Sequence, residues 1–365
     1  MLVDERLMRR YQDVVDACTC RLTGHRPLGL REQLNEIGRL TETWPEPDRY
    51  GEGELIESFE AEIAELLGKP AAVFLVSGTM AQCIALRVWA DRAGKRSVGF
   101  HATSHLELHE QHAYRELYGL ESMLIGSPDR AISADDLGTL ATPPAALLLE
   151  LPMREIGGQL PTWDDLEAQR AWATHHGVAL HMDGARLWQC GPYYQRELSE
   201  IAGLFDSVYV SFYKDMGGIA GSVLAGPVEF IAEARQWIRR AGGNLFSLFP
   251  YVLAARAGVE RNLASMPRAV DNARWLSEFF GQNLELPTTP VQPPTNLFHL
   301  PLAIPANILV EKAITWSEQN GVFLAPAPHR GEPDAPILEF SMGGAVEEQP
   351  RAQWERWLTE FYSSL

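Results

Sequence analysis

From Gly53 to Leu67 the apolar residues Leu55, Phe59, Ile63, Leu66 and Leu67 recur on one face of a helix, and Gly68 follows where such a helix would end. The period then changes. Ala71 to Val76 is a short apolar run closed by Ser77-Gly78, and helical spacing resumes from Thr79 to Trp89, which predicts a strand, a tight turn and a helix. The alternation recurs: buried strands are expected at Ala146 to Leu151, Val178 to Met182, Asp206 to Ser211 and Gly221 to Ala225, with helices at Asp164 to His176 and Val228 to Arg240. Such alternation predicts an α/β domain with a mostly parallel sheet. A proline-rich stretch from Leu286 to Pro305 leads to a helix over Asn307 to Gln319, apolar runs at Gly321 to Ala325 and Pro336 to Ser341, and a closing helix near Gln349 to Tyr362. These describe a second, smaller α+β domain. The expected division is an N-terminal segment 1–52, a large domain 53–250 and a small domain 251–365.

Composition narrows the classes of function. With 46% hydrophobic and 22% charged residues, and no apolar stretch long enough to span a bilayer, the chain is expected to be globular with no membrane partner. The first residues, MLVDERLMRRYQDVVDA, mix both charge signs and lack an apolar core, so no secretory signal is expected and a cytoplasmic location is. Four cysteines make no disulfide framework, and Cys18 with Cys20 is at best half of a metal site, so no metal is expected. A net charge of -17 without clustered Lys and Arg argues against a nucleic-acid partner.

Candidate chemistry gathers at the ends of the predicted strands. Asp183 closes the run Val178 to Met182, where open α/β sheets collect ligands, and Lys214 lies just past the next strand. Gly217 and Gly218 are expected to leave that crevice roomy. Ser77-Gly78-Thr79 stands where unpaired N–H groups and the helix dipole suit a phosphate. Taken singly, such a turn is more often a cap, and such a lysine or aspartate is more often solvated. Together they offer a phosphate seat, a carboxylate and an amine, the groups that pyridoxal phosphate requires: the amine forms an imine and the carboxylate keeps the ring nitrogen protonated.

The segments Val76-Ser77-Gly78-Thr79-Met80-Ala81, His181-Met182-Asp183-Gly184-Ala185-Arg186-Leu187-Trp188 and Lys214-Asp215-Met216-Gly217-Gly218, with Gly221 to Gly226, resemble the motifs of the threonine aldolase and β-eliminating lyase family. Tyr50-Gly51-Glu52, Glu150, Gly157-Gly158 and Asp206-Ser207-Val208 extend the likeness over residues 45 to 265. The resemblance implies the aspartate-aminotransferase fold, called fold type I, and a homodimer or homotetramer that completes its sites between subunits. It implies Lys214 as the Schiff-base lysine, Asp183 as the ring-nitrogen partner and Ser77, Gly78 and Thr79 as the phosphate seat. His105, five residues before Glu110, would stack on the ring, and Arg186 would contact the carboxylate of a small amino-acid substrate. The implied activity is cleavage of a β-hydroxy-α-amino acid to glycine and an aldehyde. β-Elimination on another amino acid is the second reading, and a non-catalytic scaffold is the third, which has no need of all three site elements.

The departures from the family pattern lie on the substrate side. An Arg-hydrophobic-Val-Thr-His stretch has its counterpart in Leu338-Glu339-Phe340-Ser341-Met342, so Glu339 stands where a cation is expected and Arg330 is the candidate substitute. Gly242-Gly243-Asn244-Leu245-Phe246-Ser247 lacks the family's arginine, Tyr213 replaces serine before the lysine, and Cys20-Arg21-Leu22-Thr23 only loosely matches the family's Arg-Ser-Asp. Threonine itself is therefore expected to be a poor substrate.

Overall fold

The structure is a computed structural model that describes residues 2–365. It divides into two compact units: a smaller one of Met1–Pro27, Ile156–Gln159 and Ser265–Leu365, and a larger one of Leu28–Glu155 and Leu160–Ala264. These boundaries differ from the expected 1–52, 53–250 and 251–365, for two local reasons. Helix α1 (Glu5–Ala17) packs on helix Ala306–Asn320, and strand β1 (Cys20–Arg21) pairs with the two-residue strand Val322–Phe323, which ties the N-terminus to the smaller unit. Helix Phe249–Asn262 packs on α2 (Leu30–Leu40) and α3 (Glu54–Leu66), so it belongs to the larger.

The larger unit is built on a seven-stranded sheet: β2 (Ala71–Leu75), β3 (Ser97–His101), β4 (Glu121–Ile125), β5 (Ala146–Glu150), β6 (Ala179–Gly184), β7 (Ser207–Ser211) and β8 (Ser222–Gly226), in the order β2-β8-β7-β6-β5-β3-β4. Every pairing is parallel except those of β8 with β2 and β7, as the mostly parallel expectation required. The central strands read as unbroken apolar runs because both faces are covered; helix α4 (Gly78–Ala93) and helix Val228–Arg240 pack against the sheet through Ile84, Val88, Phe230 and Ile231. Strands β3 and β4 escaped the sequence pattern. A glycine interrupts the first, and the second lies at the sheet edge with most of its residues exposed, so neither reads as a buried run. The C-terminal ends of β2, β3, β5, β6 and β7 share one edge of the sheet, which collects the candidate residues.

The smaller unit holds a three-stranded antiparallel sheet of β9 (Leu297–Pro301), β11 (Pro328–Glu332) and β12 (Ala335–Ser341), with β12 in the middle, while β10 (Val322–Phe323) pairs apart from it with β1 in parallel. Phe298, Leu300, Leu338 and Phe340 point from it into a core with Phe280, Trp354 and Phe361.

Candidate active site

The turn from β2 into α4 makes the anion cradle. Ser77 caps the helix, its hydroxyl accepting from the Met80 N–H at 3.3 Å, while Ser222 donates to the Ser77 carbonyl at 3.1 Å. The first-turn N–H groups of Gly78 and Thr79 have no partner within the helix and carry the positive end of its dipole. Gly78 is required for packing: a Cβ there would lie 2.0 Å from the hydroxyl of Tyr209 and 2.6 Å from its ring. Tyr209, which the sequence reading passed over, thus lies between the cradle and Asp183, its register partner across β6 and β7.

Asp183 is buried, and its Oδ1 accepts from the Ala185 N–H at 3.1 Å. Burial raises its pKa, opposed by the Lys214 ammonium, the Ala185 N–H and His105. Glu150 stands opposite it on β5 and accepts from the Arg154 N–H at 3.1 Å. Burial, and then the Asp183 carboxylate, push Glu150 up to about 8, against the pull of Lys214 and Arg186. Two residues before Asp183, and so on the same face of β6, His181 is held at both nitrogens: Nδ1 meets the Ser207 hydroxyl at 2.8 Å and Nε2 meets Gln82 Oε1 at 2.7 Å. The Trp89 indole donates to Ser207 at 2.8 Å, which turns the Ser207 hydrogen toward Nδ1 and leaves Nε2–H to donate to Gln82. Burial depresses the His181 pKa to about 3, so this imidazole is neutral and fixes β6 beneath Asp183.

Lys214 lies three residues past β7 in a tight turn, with the Gly217 N–H donating to the Lys214 carbonyl at 3.0 Å and the Gly218 N–H to the Phe212 carbonyl at 2.7 Å. The glycines do not make the crevice roomy, contrary to the sequence expectation. Gly217 takes a left-handed φ of +68°, and a Cβ on Gly218 would lie 2.9 Å from the Phe212 carbonyl, so both serve the turn's closeness. The chain has four lysines. Lys69, Lys95 and Lys312 donate to the carbonyls of Phe205, Pro143 and Ser364, whereas the Lys214 amine makes no hydrogen bond among the described residues. Burial lowers its pKa first and the Arg186 cation lowers it further, while Asp183, Glu150 and Asp215 raise it.

Arg186 is half-buried because Leu187 and Trp188 beside it are fully inside, Trp188 donating to the Ser211 carbonyl at 3.0 Å. Its guanidinium makes no hydrogen bond or ion pair among the described residues, yet its charge acts on both Glu150 and Lys214. His105 opens a short helix after β3, and its Nδ1 meets Glu110 Oε1 at 2.9 Å, the carboxylate being nearly buried. The larger unit therefore gathers Ser77, Gly78, Thr79, His105, Asp183, Arg186 and Lys214 at one sheet edge, and adds Glu150, Tyr209 and His181.

The β-eliminating lyase family model matches residues 45–300. The chain belongs to this family. It is 33% identical over 267 residues to an aldolase of Penicillium aethiopicum, covering 69% of this chain and 68% of that one. It is 29% identical over 244 residues to the low-specificity L-threonine aldolase of Escherichia coli K12, covering 63% of this chain and 70% of the relative. A solved structure from Listeria monocytogenes EGD-E, provisionally assigned as an L-allo-threonine aldolase, is 38% identical with a TM-score of 0.93 over 98% of this chain and all of that one. The fold is that of the type I pyridoxal-phosphate enzymes, as the sequence resemblance implied.

The family match ends before Arg330 and Glu339. The structure places both in the smaller unit: Arg330 on β11, and Glu339 on β12 directly opposite His299 of β9. Glu339 points to the face opposite Leu338 and Phe340, where its carboxylate lies 3.7 Å from His299 and 3.8 Å from His329. Nothing in the local sequence announces this set, because its members are 30 and 10 residues apart.

Proposed function

We propose that the chain is a pyridoxal-phosphate-dependent lyase that cleaves a β-hydroxy-α-amino acid to glycine and an aldehyde, with Lys214 as the attachment point. The observation that carries this reading is the unpaired, partly buried Lys214 amine beside two carboxyl groups, on the same sheet edge as the α4 cradle. The residues fit the cofactor: Gly78 leaves open a cradle that a Cβ would disrupt, and the donors there suit a phosphate. Bound in this place, pyridoxal phosphate would supply the electron sink for the carbanion left when the bond between the α- and β-carbons breaks.

The chain's own groups then divide the work. A depressed pKa increases the fraction of neutral, nucleophilic Lys214. Asp183 would keep the ring-nitrogen proton in place, with His181 and the Ala185 N–H fixing its backbone and carboxylate. Glu110 holds the His105 imidazole at Nδ1, which would present its face to the cofactor ring. Arg186, with its guanidinium unengaged, would take the substrate carboxylate in a bidentate pair. Arg330 and Glu339 are the groups proposed to select the rest of the substrate, with threonine disfavoured and a bulkier or more polar β-substituent preferred. Membership of the β-eliminating lyase family favours β-elimination as a second reading. Incubation with threonine, allo-threonine and phenylserine separates the two: glycine and an aldehyde are expected, and a keto acid with ammonia would establish elimination instead. The proposed assembly is a homodimer or homotetramer, checked by light scattering. Among the described residues no helix is long and apolar enough to cross a membrane.

A further inference from the structure

In the smaller unit, His299, His329 and Glu339 each present one ligand atom, and these atoms lie within 4.8 Å of one another. We propose that the three form a binding site for a divalent transition-metal ion. Each comes from a different strand of one sheet. Antiparallel register sets His299 of β9 directly opposite Glu339 of β12. Because Phe298 and Leu300 on either side of His299 are core residues, strand alternation sends the imidazole to the other face, where Glu339 also points. A register shift between Pro328 and Arg330 in β11 falls at His329, and such irregularities re-aim side chains. The result is two imidazoles around one carboxylate oxygen, Glu339 Oε2, at 3.7 and 3.8 Å.

Those separations exceed a hydrogen bond and approach what ligation needs. Bonds of about 2.0–2.2 Å in a tetrahedral shell set neighbouring ligand atoms roughly 3.3 Å apart, so closure of about half an ångström suffices for each histidine–glutamate pair and at most about 1.5 Å between the two imidazoles. A second, independent observation comes from His299 itself. The residue is 1% exposed, and neither of its ring nitrogens has a hydrogen-bond partner. A buried polar atom without a partner is costly and calls for an explanation, which ligation of one nitrogen supplies. Two imidazoles and a carboxylate favour zinc or a neighbouring first-row ion over calcium or magnesium, which take oxygen shells. Three protein ligands leave at least one coordination position open. The opposing group is Arg330, whose cation acts on His299; its removal should strengthen binding.

The test is titration of metal-stripped holoenzyme with Zn²⁺ against a competing chromophoric chelator, for the wild type and for His329→Gln, Glu339→Gln, Arg330→Gln and His109→Gln. His109 represents the histidine-rich segment of the larger unit, the other place where imidazoles crowd. Expected are one Zn²⁺ per chain in the wild type, affinity weakened roughly tenfold or more in His329→Gln and Glu339→Gln, tightened in Arg330→Gln and unchanged in His109→Gln. His329 and Glu339 sit toward the edge of the set, with side chains 12% and 14% exposed, and circular dichroism confirms that each variant is folded before titration. Absence of stoichiometric zinc in the wild type, or equal affinity in wild type, His329→Gln and Glu339→Gln, overturns the proposal. Neither result depends on which amino acid the lysine site accepts.

Discussion

Glu150 and Asp183 face one another across the parallel strands β5 and β6, so the sheet itself brings two carboxyl groups together at its carboxyl edge. Two buried acids so placed cannot both be ionised without strong repulsion. Burial raises both, and with the Asp183 carboxylate it lifts Glu150 to about 8, so the pair favours holding a proton between them at neutral pH.

This has a sign that can be measured. A carboxyl group whose folded pKa lies above its unfolded value makes the folded state bind more protons, so stability falls as pH rises from about 4.5 to about 8 and levels off beyond. Cofactor-free wild type is expected to show that decline in urea unfolding. Glu150→Gln, isosteric with the protonated acid, should flatten it. An unchanged slope in the variant would remove Glu150 as its source.

His181 has the opposite dependence. Its folded pKa, about 3, lies below the ordinary value, so its contribution is fully present above pH 6.5 and is lost as pH falls from there toward 3. His181→Phe should lose less stability between pH 7 and pH 4 than wild type does. It should also be less stable at pH 7 by about 1–3 kcal/mol, because Gln82 and Ser207 lose a partner. Thermal melts at several pH values decide this, and parallel curves for the two proteins would refute it.

Gly78→Ala places a methyl group where the Tyr209 hydroxyl now lies, 2.0 Å away, and one of the two must move. Weaker pyridoxal-phosphate binding is expected, by roughly tenfold or more if one charge-assisted hydrogen bond of about 1.5–3 kcal/mol is lost. Cofactor titration followed by absorbance measures it. Affinity equal to wild type would show that the α4 turn does not hold the phosphate.

Much of this arrangement could be read in the sequence, for identifiable reasons. The central strands are buried on both faces and appear as apolar runs, and the helix Val228–Arg240 was delimited to the residue by its own period. Asp183, Lys214 and the Ser77 turn follow those runs directly, so locating the strands locates the residues. What escaped depends on pairing. Glu150 acquires its character only from standing opposite Asp183, and Tyr209 from crossing over Gly78. The polar strand β4 gave no pattern because it is a sheet edge, and β9 was hidden in a proline-rich stretch. Gly217 and Gly218 were read as space, whereas the left-handed φ of Gly217 and the Phe212 and Ala254 carbonyls packed around Gly218 reveal a close turn.

Asp183→Asn and Asp183→Ala bear on the electron sink. Both should still attach the cofactor, since Lys214 is intact, but turnover should fall about ten- to a hundredfold, the equivalent of a charge-assisted hydrogen bond. Steady-state rates on the best amino-acid substrate measure the loss. Undiminished turnover in both would separate Asp183 from the chemistry.

The most direct test of the central claim is borohydride reduction of the holoenzyme followed by peptide mapping, with Lys214→Ala alongside. Only four lysines compete, and three have their ammonium groups engaged with backbone carbonyls. A visible absorption band that disappears on reduction, with the cofactor fixed to Lys214 and no band in the folded variant, is the result predicted. Cofactor fixed to Lys69, Lys95 or Lys312, or an unchanged band in Lys214→Ala, would contradict it.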